Sequence, residues 1–294
     1  MEVSVCVTDD DYEAWRKVRL VVEADSRCLT VEELREQDSP DRLLLLALEG
    51  HDVVGSGIAD RSDTAGAGFV APRVLPEHRR LGVGAALLRV LTEHCSSLDV
   101  PTVVTSVDDE GSMAFAEHFG FAEVDREVEQ VRTVGDEPAP GALPDGIAVV
   151  EARECPDLWP ACFETFGREV LADFAVHTPL EISAEQWNTT WRGDPMFLAL
   201  DGDEVIGCAG LNRDTDLPRR AENALTAVSR SRRGQGIAAH LKRRTLHWAA
   251  LNGLAEVYTW TQVGNVSMRR LNEKLGYVTT RTSITVSRSL PLTG

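Results

Sequence analysis

Two stretches combine residue types that could hold an anion. "HRRLGVGAALL" spans residues 78–88 and "RRGQGIAAHLK" spans 232–242; each sets paired arginines before two closely spaced glycines and ahead of a helical pattern. Each also follows an apolar strand pattern, "FVAPRVL" (69–75) or "ALTAVS" (224–229). Where a strand hands over to a helix, unpaired backbone N–H groups and the positive end of the helix dipole face outward, and glycine lets a ligand oxygen come close. Arg79, Arg80, Arg232 and Arg233 add charge at the same place. The chemistry this pattern suits is phosphate binding. A Walker loop is excluded, since it needs Lys-Ser/Thr after its last glycine, whereas Gly84 precedes Ala-Ala and Gly236 precedes Ile-Ala. A dinucleotide fingerprint fits "GQGIAA" by letters, but the following strand, "VYTWTQ" (257–262), lacks the acidic residue that would bind a ribose. Glycines that merely ease helix–strand packing are the plainer alternative; duplication with flanking arginines weighs against it.

The elements that position these turns occur twice. "LALEGHDVVGSGIA" from residue 46 matches "LALDGDEVIGCAGL" from 198, the arginine-glycine turns align on Arg79 and Arg233, and "HFGF" (118–121) matches "KLGY" (274–277), at offsets of 152, 154 and 156 residues. Three matches in one order at nearly constant spacing indicate two copies of one fold. The expected domains are 1–134 and 147–294, joined by the Pro/Gly/acid-rich linker 135–146. In the first copy strands are expected near 43–48, 53–59, 66–74, 102–106 and 122–132, with a helix from the glycine turn to about 97 and another at 110–119. "TVEELREQ" opens a short helix with a Thr30/Glu33 capping box. The second copy gives strands near 147–151, 196–200, 205–211, 222–229, 256–261 and 278–286, and helices near 156–172, 183–192, 235–252 and 266–275. Hairpins followed by a strand–helix–strand crossover make this a mixed α/β fold with a mostly antiparallel sheet in each copy.

Bulk properties narrow the partners. The 294 residues carry 30 Lys+Arg against 47 Asp+Glu, a formal charge of -17, which repels nucleic acid and anionic membranes. No apolar run approaches a membrane span and the start lacks a signal-peptide pattern, so a cytoplasmic protein is expected, as a monomer or homodimer. Six scattered cysteines without a C-x-x-C pair read as reduced thiols, and no metal site is expected.

"RRLGVG" (79–84) and "RGQGIA" (233–238) both fit R-x-x-G-x-G/A, and in this the chain resembles the GNAT superfamily of N-acetyltransferases, which carries that coenzyme A signature between its fourth strand and third helix. The strands "TVVTSV" and "VYTWTQ" and the helices "DDEGSMAFAEHFGF" and "NVSMRRLNEKLGY" follow in register, so the resemblance covers essentially the whole chain as two GNAT domains in a tandem arrangement like that of mycothiol synthase. It implies that acetyl-CoA is the co-substrate. Its pyrophosphate is expected on the backbone of Arg233, Gly234, Gln235, Gly236, Ile237, Ala238 and Ala239, and on Arg79, Arg80, Leu81, Gly82, Val83, Gly84 and Ala85 in the first copy. Pantetheine contacts are expected near Val74 in the first copy and at Ala227 and Val228 in the second.

The family's Asn at the start of the fourth helix is matched by Asn265, but the Tyr seven residues on, which protonates the departing thiolate, is replaced by Asn272; the first copy has Asp109 and Ala116. The second copy is therefore the expected catalytic one, with Asn272 able to hydrogen-bond sulfur or position water. Glu222 stands where several family members place a general base, with a surface carboxylate at a strand start as the alternative, and Thr226 could orient water or substrate. His240 and His247 share a helix face outside the binding turn. His177, Trp187 and Trp191 fall in the region that lines the family's acceptor pocket, and the two tryptophans also suit core packing. Tyr277 reads as core, since Phe121 takes its place in the first copy. The implied activity is acetyl transfer to a primary amine of a small molecule, with an acidic protein favouring a cationic acceptor. A non-catalytic acyl-CoA-binding sensor or scaffold is the alternative, prompted by the missing Tyr.

Overall fold

The computed structural model describes residues 1–62, 66–174, 182–189 and 191–292; His177 lies outside them. The chain forms two compact units, Met1–Arg126 with Ser283–Gly294, and Glu127–Thr282. These are not the consecutive halves 1–134 and 147–294, because the terminal strands are exchanged.

The first unit contains β1 (Glu2–Val5), α1 (Asp9–Val22), α2 (Val31–Glu36), β2 (Leu43–Glu49), β3 (Asp52–Arg61), β4 (Ala67–Val74), α3 (Val83–Ser97), β5 (Thr102–Val107) and α4 (Glu110–His118). Strands run in the order β1-β2-β3-β4-β5, antiparallel except for the β4–β5 pair. The strand beyond β5 is β12 (Val278–Ser289), the last of the chain, which pairs Ile284–Ser289 antiparallel with β5. Thr8 and Thr30 each close a capping box that starts α1 and α2. The amphipathic face of α1 buries Tyr12 and Trp15 against Leu44 and Leu46, and α3 buries Leu87, Leu88 and Leu91 against the other sheet face. Gly57 lets α3 approach closely there, since a Cβ would stand 3.0 Å from the Leu91 side chain.

The second unit contains β7 (Ile147–Glu151), α5 (Leu158–Ala161), α6 (Arg168–Phe174), α7 (Ala184–Thr189), β8 (Met196–Asp201), β9 (Glu204–Arg213), β10 (Arg220–Val228), α8 (Ile237–Leu251), β11 (Glu256–Gln262) and α9 (Val266–Lys274). Its order is β11-β10-β9-β8-β7, antiparallel except for β10–β11. Here the strand beside β11 is β6 (Ala122–Thr133), which pairs Glu127–Thr133 antiparallel with β11. The exchange fixes a buried charge cluster: Glu129 of β6 accepts from Arg220 at 2.9 Å, Arg281 at 2.9 and 3.1 Å and Thr280 at 2.7 Å.

One continuous helix expected over 156–172 is instead α5, a π turn over Phe163–Gly167 and α6. Gly167 N–H reaches back five residues to the Cys162 carbonyl at 3.0 Å. Trp159, Phe163 and Phe166 are buried on these segments. The helix expected over 183–192 is shorter, ending at Thr189. All six cysteines are free and only Cys155 is not buried. Among the described residues no helix is long and apolar enough to cross a membrane, and no group of three His, Cys, Asp or Glu could hold a metal ion.

Candidate active site

Strands β10 and β11 are hydrogen-bonded neighbours only from Arg220–Glu222 with Glu256–Tyr258. Beyond Glu222 they part, and the β10–β9 register slips between Asn223 and Thr226. A bulge of this kind bends its strand and turns backbone groups out of the ladder. Two cavities occupy the opening. One, of about 270 Å³, is bordered by Asn223, Lys242, Trp191, Trp260 and Gln262. The other, of about 510 Å³, is bordered by Ala227, Val228, Arg233, Ala238 and Leu271. Thr226, Asn265 and Met268 line both.

The larger cavity ends at the glycine turn. A 3-10 turn, Arg230–Arg232, leads into Gly234 at φ +77° and Gly236 at φ +83°, both left-handed. Gly236 is the N-cap of α8 and caps it with no side chain, so the first N–H groups of the helix remain available to a ligand. Nothing lies within 4 Å of a Cβ built on Gly234 or Gly236, so the space over the turn is open. Arg233 Nε donates to Val228 O at 3.1 Å and staples the turn to the strand end.

The arginines expected to add charge at this turn are engaged in ion pairs of their own. Arg233 also pairs with Asp173 of α6, Arg230 with the same carboxylate at 2.5 Å, and Arg232 with Asp201. Burial works to raise the Asp173 carboxyl pKa, but the bonds from Arg230 and Arg233 outweigh it and hold it below its ordinary value. An anion at this turn would therefore meet chiefly backbone N–H groups.

Of the expected catalytic side chains, Thr226 stands at the junction of the two cavities. It is buried, and its Oγ1 has no hydrogen-bond partner among the described residues; a buried hydroxyl without a partner is costly unless a ligand or water meets it. Asn265 caps α9, its Oδ1 accepting from Met268 N–H at 3.2 Å. Glu222 and Asn272 line neither cavity. Asn272 is fully buried, donating to Gln130 Oε1 at 2.9 Å and to Thr261 Oγ1 at 3.4 Å, so its amide faces the sheet. Ile237 is buried in the core as the first residue of α8; Gln235 and Ala239 flank the open N-terminus.

Trp187 is core, stacked on Trp159 with centroids 4.2 Å apart and each indole N–H donating to the other's carbonyl; Trp191 reaches the smaller cavity. His247 Nδ1 lies 2.7 Å from Glu137 O of the linker, away from both cavities. The His240 pKa is lowered, chiefly by burial and then by Arg244 and Arg243. Tyr277 is buried as expected, and its hydroxyl also accepts from Asn223 Nδ2 at 3.0 Å.

The first unit keeps the turn, and β4 parts from β5 beyond Phe69, but it lacks the bulge. Arg79 Nε donates to Val74 O at 3.2 Å, Arg80 is left-handed at φ +65° and Gly82 caps α3 at φ +88°, with Leu81 exposed between them. Val83 is buried behind the cap and Ala85 packs on the core. Yet β3–β4 runs in unbroken register, and Pro72, without an N–H, stands where the second copy has Thr226. A Cβ on Gly84 would lie 3.3 Å from the Phe115 ring and 3.6 Å from Val74, so Phe115 packs on the first turn of α3, while a Cβ on Gly82 would meet nothing within 4 Å. Asp109 is used as the N-cap of α4, and Ala116 is buried.

Lys242 was not expected. It is 1% exposed on α8, and burial pushes its pKa down to about 7. The buried face of α8 includes Leu241, Lys242, Thr245, Leu246 and Ala249, so the sequence did carry a signal, a lysine on an apolar stripe. Because the unfolded chain binds this proton more tightly than the folded one, Lys242 costs most stability below pH 7, and the cost fades as pH rises from 7 toward the ordinary lysine value. Lys242→Met should therefore stabilise the protein by about 1–4 kcal/mol at pH 6. The gain should shrink by pH 10, as read by denaturant melts at the two pH values; an equal or negative effect at both would contradict it.

Comparison with known proteins follows the same lines. The acetyltransferase (GNAT) family profile matches twice, at residues 8–121 and 157–277. A tandem GNAT protein from the clavulanic acid biosynthesis pathway superposes with a TM-score of 0.73 at 18% identity, covering 100% of both chains. A GCN5-related N-acetyltransferase from Sphaerobacter thermophilus gives 0.70 at 20% identity, over 98% of this chain and 95% of that one. A putative acetyltransferase from Pyrococcus horikoshii gives 0.62 at 15% identity, over 99% and 90%. At these identities the structures establish the fold alone, and no curated protein sequence matches the chain. With the family profile covering most of its length in two copies, the chain belongs to the GNAT family of acetyltransferases.

Proposed function

We propose that the second unit is an acetyl-CoA-dependent N-acetyltransferase acting on a primary amine of a small molecule by direct attack, and that the first unit is structural. The observation that carries this reading is the unpartnered Thr226 hydroxyl at the wall shared by two cavities, one leading to an open phosphate-type turn. The residues fit the coenzyme: the open space over Gly234 and Gly236 admits phosphate oxygens, and the α8 N-terminus offers N–H donors. When bound, acetyl-CoA supplies a thioester carbonyl open to attack by an amine.

The backbone from Arg233 to Ala239 holds the phosphates. Ala227 and Val228, on the stretch of β10 that has left β11, offer backbone groups to the pantetheine arm, and an N–H freed at the bulge stabilises charge growing on the carbonyl oxygen. Thr226 and Asn265 orient the groups that meet between the cavities. The amine enters from the smaller cavity and loses its proton there. Since Glu222 and Asn272 border neither cavity, neither serves as the base or acid of this site.

A second reading, a coenzyme-binding module without turnover, is favoured by one observation: the position of the family's proton donor holds a buried amide turned into the sheet. Loss of a general acid removes about 10²–10⁴ in rate, which slows a site without abolishing it. Release of free thiol from acetyl-CoA, measured across a panel of primary amines, separates the two. Acceptor-dependent release is expected; tight coenzyme binding with release no faster than in buffer would establish the module instead.

A further inference from the structure

The wall of the smaller cavity contains a fully buried lysine. Lys242 Nζ donates to Asn223 Oδ1 at 3.2 Å and stands 5.1 Å from the centroid of the Tyr277 ring. Among the described residues no carboxylate forms an ion pair with it. The Asn223 amide cannot turn over, because its Nδ2 donates to Tyr258 O at 3.2 Å and to the Tyr277 hydroxyl at 3.0 Å; its Oδ1 therefore always faces the lysine. An ammonium has three donors, and one is used here.

Burying such a group among neutral partners is expensive, and a hydrophobic side chain at this place on α8 would pack at no such cost. An anion arriving from the cavity would supply the missing partner. We propose that the amine acceptor also carries a carboxylate, and that this carboxylate docks on Lys242 in the wall of the smaller cavity while the amine lies toward Thr226. This rests on the reading of the parted β10–β11 cleft as an acyl-transfer site, and it names the acceptor class, a small amino acid or similar amine-bearing acid.

The geometry suits such a molecule. Asn223, which holds Lys242, lies three residues from Thr226 on β10, roughly 10 Å along an extended strand and less across the bulge. Trp191 and Trp260 supply apolar walls, and a volume of about 270 Å³ admits a compound of amino-acid size. The formal charge of -17 favours cations at long range, and the Glu127 carboxylate also borders this cavity, but the fully buried ionisable group in its wall is a lysine, and recognition of a carboxylate follows that local group.

The test pairs acids with their decarboxylated amines: lysine with cadaverine, phenylalanine with phenethylamine, tryptophan with tryptamine. Each is assayed for thiol release from acetyl-CoA and titrated calorimetrically into the full chain, wild type and Lys242→Met, with melting curves confirming the folded state. In the wild type at least one acid should exceed its amine in kcat/KM by roughly 30- to 1000-fold, as expected for an unpaired buried charge. The ratio should collapse toward unity in Lys242→Met. Equal use of acid and amine by the wild type, or a preference untouched by Lys242→Met, overturns the proposal and leaves the acyltransferase reading standing. If no amine is acetylated, that reading fails instead, and calorimetry decides the carboxylate site: acid binding lost in Lys242→Met supports it, and equal or absent binding overturns it. Should the variant fail to fold, the wild-type acid-to-amine ratio decides alone.

Discussion

Gly236→Glu is expected to weaken coenzyme A binding by on the order of 100-fold or more, while Gly82→Glu leaves it unchanged. Gly236 caps α8 at φ +83°, where a Cβ has room but strains the backbone by roughly 1–2 kcal/mol. The larger effect is electrostatic, because the new carboxylate would stand among the N–H donors that otherwise meet phosphate. Gly82 has the same conformation at φ +88°, so the backbone strain is matched and only the location differs. In the first unit Pro72 removes a donor from the strand that enters the turn, and the Phe115 ring packs against Gly84 at the start of α3. Calorimetric titration of coenzyme A into both variants gives the comparison, and loss of binding in Gly82→Glu alone would reverse the assignment of the two units.

Glu129→Ala is expected to destabilise the second unit by about 3–5 kcal/mol. The Glu129 carboxylate is 3% exposed and answers two guanidiniums, Arg220 at the start of β10 and Arg281 on β12. Its removal takes away the buried carboxylate that both guanidiniums share, leaving Arg220 its longer pair with Glu256 at 3.7 Å, where β10 begins its short pairing with β11. The exposed pair Glu123–Arg126 provides the control: Glu123→Ala should cost no more than about 1 kcal/mol. Denaturant unfolding of the two variants measures the difference, and equal small losses would show that the cluster contributes no more than a surface pair.

Much of this was legible in the sequence. The repeat offset near 154 residues placed both turns, and the capping box at Thr30 follows from local chemistry. The strand exchange was not legible: "AEVDREVEQVRT" and "VTTRTSITVSRS" carry similar alternation, so either could complete either unit, and only partners distant in sequence, such as Glu129 with Arg220, distinguish them. Glu222 borders neither cavity for a physical reason. Strict alternation puts residues 222 and 226 on one strand face, and the bulge between Asn223 and Thr226 breaks that period. The fate of Asn272 depends on Gln130, a partner that the exchange brings from β6. Lys242 was readable from its position on the apolar stripe of α8, yet beside Arg243 and Arg244 it passed for part of a basic surface cluster.

The most direct test of the central claim is a crystal structure with coenzyme A bound. The account predicts pyrophosphate on the Gly234–Gly236 turn and the thiol beside Thr226, between the two cavities. Coenzyme seated instead on Arg79–Gly84, with the second turn empty, would contradict it.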